Sequence, residues 1–179
     1  MQRVLPGSTL QYDGSTPGSA EILLSALFAG GDLMLAQVAH ISGLEPYMIQ
    51  NWVARGYLPP PVAKRYSRRQ LSRILIIHML RSVLPLEEIC RLLRYVNGHL
   101  DDISDDLVDD AFLYMGLVTL IEAGPEDPDP MKTALKDYRE PFPGARRRVE
   151  QVLEIMLLAY RAAALKEEAQ AYIGRLDIQ

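Results

Sequence analysis

Apolar residues recur at steps of three and four along most of this chain, in short stripes separated by glycine and proline breaks. That period is the signature of amphipathic helices; no strand-like alternation of useful length is present. Residues 1–18 are rich in Gly, Pro, Ser and Thr and read as an irregular arm. Ser19, an N-cap residue by type, opens a run of Ile22, Leu23, Leu24, Ala26, Leu27 and Phe28 that Gly30-Gly31 stops. A second helix is expected from Asp32 or Leu33 to Gly43, with Leu35, Val38, Ala39 and Ser42 at helical spacing. Leu44 is placed to plug the turn that follows. Pro46 suits the first turn of a third helix, where its missing N–H costs nothing. In that helix Ile49, Trp52 and Val53 share one face, Tyr47, Gln50, Asn51, Ala54 and Arg55 share the other, and Gly56 supplies the stop.

Leu58 to Tyr66 is too proline-rich for a helix and short for a full hairpin. Ser67-Arg-Arg-Gln70 then matches a capping box, with the Ser oxygen accepting from the Gln70 amide and the Gln side chain reaching back. The helix it opens carries Leu71, Ile74, Leu75, Ile77, His78 and Leu80 and breaks at Leu84-Pro85. Leu86, Ile89, Leu92 and Leu93 form one more, closed near Asn97-Gly98. Beyond it Ile103, Leu107, Ala111, Tyr114, Val118 and Ile121 keep the helical step. Two proline-bearing loops, 124–130 and 141–144, lead to a long final helix from Ala145 toward Leu176. Its centre, Ile155 to Ala159, is apolar on nearly every side and predicts burial all round, in its own core or against a second subunit.

Charge changes the picture more than composition does. The 179 residues carry a net charge of −4. From Glu45 to Arg94, however, nine Lys/Arg stand against three Glu, while from Tyr95 to Pro141 three Lys/Arg stand against twelve Asp/Glu. Phosphate backbones respond to the local patch, with screening over about 8 Å at physiological salt. An acidic protein with one basic segment is therefore compatible with DNA, provided that segment faces it. Cys90 is the single cysteine, which rules out an internal disulfide and fits a reducing compartment. No apolar run approaches membrane-spanning length and no signal-peptide pattern opens the chain, so the expectation is a cytoplasmic protein without membrane contact.

Helix, Ser-Gly-Leu turn, helix, proline-rich step and basic helix start together resemble the MerR-type DNA-binding domain. The residues that carry the likeness are Ala39-His-Ile-Ser-Gly-Leu44, Ile49, Trp52, Arg55-Gly-Tyr-Leu-Pro59, Arg65-Tyr-Ser67 and Leu86-Glu-Glu-Ile89. The chain also resembles a bacterial family of unknown function with a MerR-like helix-turn-helix. There the matching motifs are Tyr47-Met-Ile-Gln-Asn-Trp52, Leu58-Pro-Pro-Pro61 and Lys64-Arg-Tyr-Ser67. The resemblance covers residues 30–98. It implies an all-α fold with a very short wing. Residues 1–18 would be an arm, 19–98 the DNA-binding domain, and 99–179 a helical unit that dimerises or binds an effector. Two departures stand out: Gln50 replaces the Arg that MerR-type recognition helices usually carry, and the segment from Leu58 to Tyr66 is shorter than the usual wing.

The expected function is sequence-specific binding of double-stranded DNA for transcriptional regulation, by a homodimer paired through its C-terminal helices. The alternative is an adaptor that uses the same scaffold to bind an acidic protein. Gln50 and Asn51 offer amides to base edges, and Tyr47 enters at the helix N-terminus. Arg55, Lys64, Arg65, Arg68, Arg69 and Arg73 offer cations to phosphates. Trp52 reads as core, welding the recognition helix to its neighbours. The acidic run Asp101 to Asp110 holds six carboxylates at helical spacing. It lacks the glycine turn and ligand spacing of a calcium loop and reads as a solvated face. His40, His78 and His99 are far apart and Cys90 has no partner, so no metal, cofactor or catalytic residue is expected. Met115, Met131 and Met156 could line a pocket for a small-molecule effector or fill core.

Overall fold

The computed structural model describes residues 1–100 and 102–176. Among these residues the fold is mainly helical, with eight α-helices and two small two-stranded sheets. Among the described residues no helix is long and apolar enough to cross a membrane.

The first eighteen residues are not an irregular arm. Strands β1 (Gln2–Val4) and β2 (Gln11–Asp13) pair antiparallel, Arg3 opposite Tyr12. Leu5 and Tyr12 are buried and Gly7 supplies a positive φ in the turn, so the segment forms one wall of the core. Alternation over three residues is too short to register as a period, which hid these strands in the sequence. Helix α1 (Ser19–Leu27) follows. Its N-cap is Gly18, without a side-chain bond, while the Ser19 hydroxyl donates to the Asp13 carbonyl at 2.6 Å. Ser19 thus ties the helix to the hairpin instead of capping it.

Leu33–Met34, expected to open the second helix, is strand β3. It pairs with β4 (Arg65–Tyr66), Leu33 opposite Tyr66. Helix α2 (Leu35–Ser42) starts only after it, and the Gln37 side chain accepts from the Met34 amide at 2.8 Å. Gly43 ends α2 at φ 68, a left-handed position that favours glycine. Leu44 plugs the turn at 5% exposure. Helix α3 (Pro46–Ala54) carries Pro46 in its first turn and buries Ile49 and Trp52. Gly56 provides the next left-handed turn.

Helix α4 (Arg68–Leu80) opens with the predicted capping box: Ser67 Oγ accepts from the Gln70 amide, and Gln70 Oε1 accepts from the Ser67 amide at 2.8 Å. Leu71, Ile74, Leu75, Ile76, Ile77 and Leu80 are fully buried, because α2, α5, α6 and α8 all pack on this helix. Helix α5 (Leu86–Asn97) lies between the Leu84-Pro85 break and Gly98. The acidic run then departs from expectation. Instead of continuing a helix it forms a 3₁₀ turn, Ile103–Asp105, and a short loop, with Ile103 exposed. Asp101 lies outside the described residues. Helix α6 (Asp110–Glu122) begins only at the end of the run, capped by Asp109, whose carboxylate accepts from the Ala111 amide at 2.7 Å.

A short helix α7 (Pro130–Ala134) leads to α8 (Ala145–Ile173), close to the predicted bounds. Val149, Val152, Leu153 and Met156 of α8 are fully buried against the body. Within the chain α8 is not buried all round: Ile155 and Leu158 are 45% and 65% exposed. Met156 is core, while Met115 and Met131 pack partly buried against it. One continuous hydrophobic core runs from Leu5 to Ala159, across the boundary at residues 98–99 drawn from sequence.

Candidate nucleic-acid interface

Helix α3 is clamped by its inner face. Trp52 is 3% exposed, and its carbonyl accepts from the Tyr57 amide at 2.9 Å, which folds the chain back after Gly56. Burying such a side chain contributes on the order of 2–3 kcal/mol. The outer face then has to point away from the core. Tyr47 is 68% exposed, and Gln50, Asn51 and Arg55 are exposed beside it.

The segment after α3 is a minimal hairpin. Val62 and Arg65 bridge, exchanging backbone hydrogen bonds of 3.1 and 2.9 Å. Only Ala63 and Lys64 lie between them, and both have positive φ, 48° and 63°. Two central residues in that region are what the tightest hairpin turns require. Leu58–Tyr66 is therefore long enough for a hairpin after all, but only through a turn that neither Ala63 nor Lys64 advertises. Lys64 and Arg65 are exposed at its tip. Arg65 Nη1 donates to the Asp32 carbonyl at 2.9 Å, pinning the tip to the start of β3. Between α2, α3 and the hairpin runs a groove of about 620 Å³, floored by Met34, Leu35, Val53 and Tyr66 and edged by Gln50 and Lys64.

The basic helix start is organised differently from the sequence expectation. Arg68 donates from Nη2 to both Glu21 oxygens, at 2.6 and 2.7 Å, and from Nη1 to Ser25. Arg69 meets Asp106 at 2.6 Å and Asp110 at 3.2 Å. Arg73 is 3% exposed and is spent between the Tyr57 carbonyl and Asp110, 3.1 and 3.2 Å away. A buried guanidinium with such partners has no route to a phosphate, so Arg73 is a structural tie between the end of α3, α4 and α6. Arg69 belongs to the same cluster, and Arg68 is held by α1. Arg55 pairs with Glu87 at 3.1 Å while stacking over Tyr57. The Tyr57 hydroxyl donates to that same carboxylate at 2.6 Å.

The carboxylate partners lie 32 to 47 residues from the arginines, which is why the run looked like a free cationic face. One signal was available. Arg69 and Arg73 are four apart, and so are Asp106 and Asp110. The acids are not the solvated face expected of them: Asp110 is 1% exposed. Burial pushes both carboxyls up, with the guanidiniums pulling the other way, and Asp106 is raised to about 6. Among the described residues Asp106 Oδ1 is buried without a hydrogen-bond partner.

The structure therefore brings Tyr47, Gln50, Asn51, Lys64 and Arg65 into solvent around α3 and the hairpin tip, with Arg55 beside them in an exposed ion pair. Residues 29–115 match the model of a family described as a domain of unknown function, DUF1836. That span includes α2, α3, the hairpin and both sides of the Arg69–Arg73–Asp106–Asp110 cluster. The chain is also similar to the uncharacterized protein YkrK of Bacillus subtilis (strain 168), 28% identical over 93 residues. The alignment covers 50% of this chain and 40% of that protein's length. No solved structure matches the chain.

Proposed function

We propose that the protein is a sequence-specific double-stranded DNA-binding regulator, with α2 and α3 acting as a MerR-like helix-turn-helix and the Val62–Arg65 hairpin as its short wing. The observation that carries this reading is the outer face of α3. A helix locked from behind by Ile49 and Trp52 presents Tyr47, Gln50 and Asn51 to solvent, with Lys64 and Arg65 alongside. A major groove admits one α-helix, and amides on that helix can pair with the donor and acceptor of an adenine edge. The apolar groove beside Gln50 suits thymine methyl groups. Lys64 and Arg65 at the wing tip suit phosphates, which fix register without reading sequence. Homodimerisation would present two such helices to two half-sites.

The test is selection of bound fragments from a random DNA pool at physiological salt. Gln50→Ala/Asn51→Ala is expected to relax base preference by about 1–3 kcal/mol at the contacted positions. Lys64→Ala/Arg65→Ala is expected to weaken all sequences alike. Selection with no preference over the starting pool would sink the proposal and leave the adaptor for an acidic protein. Identical behaviour of the two variants would refute the division of labour.

A further inference from the structure

Between the turn that joins β1 to β2, the C-terminal end of α4, the start of α5 and α8 lies a cavity of about 750 Å³. Sites that hold small molecules have volumes of this order. Its walls are set before any ligand arrives. The Tyr114 hydroxyl donates to the Pro6 carbonyl at 2.7 Å, and His78 Nδ1 lies 3.1 Å from the Gly7 carbonyl, so the turn is fixed from two sides. Across the cavity Lys166 ties α8 to the end of α4, its Nζ donating to the Ser82 carbonyl at 2.8 Å. A preformed cavity gives up little conformational freedom on binding.

The lining identifies the occupant. Val4, Pro6, Met79, Leu86 and Ala163 supply apolar surface. The half-buried rings of His78 and Tyr160 and the Met79 thioether add surfaces that suit an aromatic ring. Two opposite charges border the same cavity, Arg81 from the end of α4 and Glu167 from α8. Both are exposed. Among the described residues neither forms an ion pair, with the other or with a third group. The Arg81 guanidinium offers the planar fork that a carboxylate accepts from. Glu167 can accept from an ammonium. A plain acid would use only Arg81 and a plain amine only Glu167, whereas a zwitterion answers both.

We infer that this cavity binds a zwitterionic α-amino acid with an aromatic side chain, its carboxylate on Arg81, its ammonium on Glu167 and its ring among Met79, His78 and Tyr160. The site shares no residue with α3 or the Val62–Arg65 hairpin and stands whether or not α3 meets DNA.

The experiment is isothermal titration calorimetry of the full chain, without nucleic acid, against L-tryptophan and L-phenylalanine. At least one is expected to bind with a Kd below about 1 mM. For the one that binds, two analogues separate the charges. Indole-3-propionate or 3-phenylpropionate lacks the ammonium, and tryptamine or phenethylamine lacks the carboxylate. Each is expected to bind roughly tenfold more weakly than its parent amino acid. Arg81→Gln and Glu167→Gln should each raise Kd for the amino acid roughly tenfold. Ala164→Phe, which fills the cavity from α8, should abolish binding. All three substitutions are at exposed positions, so the circular dichroism spectrum is expected to stay unchanged. Binding of neither amino acid at about 10 mM overturns the site. An analogue that binds as tightly as its parent overturns the zwitterion. Wild-type affinity in Ala164→Phe or in either charge variant overturns the placement.

Discussion

At the residue scale, the arginines show how far chemistry could be read before folding. Nothing in Lys64-Arg-Tyr-Ser-Arg-Arg distinguishes the two cations that stay in solvent from the two that are tied to carboxylates. The distinction depends on Glu21, Asp106 and Asp110, brought in by folding from elsewhere. Trp52, Gln50 and Asn51 were legible because a helical face is fixed by local spacing alone. The acidic side of the cluster makes a pH prediction. Asp106 is held up at about 6 by burial, above the ordinary carboxylate range. The folded chain then grips this proton more tightly than the unfolded chain, so its contribution to stability is greatest at low pH and declines as pH rises through about 6. Asp106→Asn removes that decline. Urea unfolding at pH 4.5 and 7.5 is expected to show the variant gaining on wild type at the higher pH. A constant or shrinking difference would contradict the raised carboxyl.

At the element scale, helix ends were readable wherever a single residue type dictates them. Ser67 with Gln70, Gly43, Gly56 and Pro46 all sit where their chemistry requires. The strands were missed because two or three residues carry no period and their partners are distant: β3 finds β4 across some thirty residues. The wing turn was missed for a different reason. Ala63 and Lys64 occupy left-handed backbone that glycine or asparagine would normally announce. A non-glycine residue there costs about 1–2 kcal/mol, and asparagine reduces the cost. Ala63→Asn is therefore expected to stabilise the protein by about 0.5–1 kcal/mol, read as a higher urea midpoint with an unchanged slope. A lower midpoint would mean that the turn is not built on positive φ at this position.

At the scale of the whole molecule, a mainly helical fold was evident from the recurrence of three- and four-residue steps. The division into arm, DNA-binding domain and C-terminal unit did not anticipate how these parts share their interior. The hairpin lends Leu5 and Tyr12 to the core, the Tyr114 hydroxyl donates to the Pro6 carbonyl at 2.7 Å, and α8 closes over α4 and α5. Periodicity tells which face of a helix is apolar but not which distant element covers it. The feature with the longest reach is α4, buried from Leu71 to Ile77 and walled by helices from both halves of the chain. Its backbone amides have no local route to solvent. In deuterated buffer they should exchange last, with protection equal to the free energy of global unfolding, while amides at the Ala63–Lys64 tip exchange early through local opening. Any ligand that binds the folded protein, on α3 or on α8, should then slow exchange along α4 without touching it, whereas a shift confined to the tip would report contact at the tip alone.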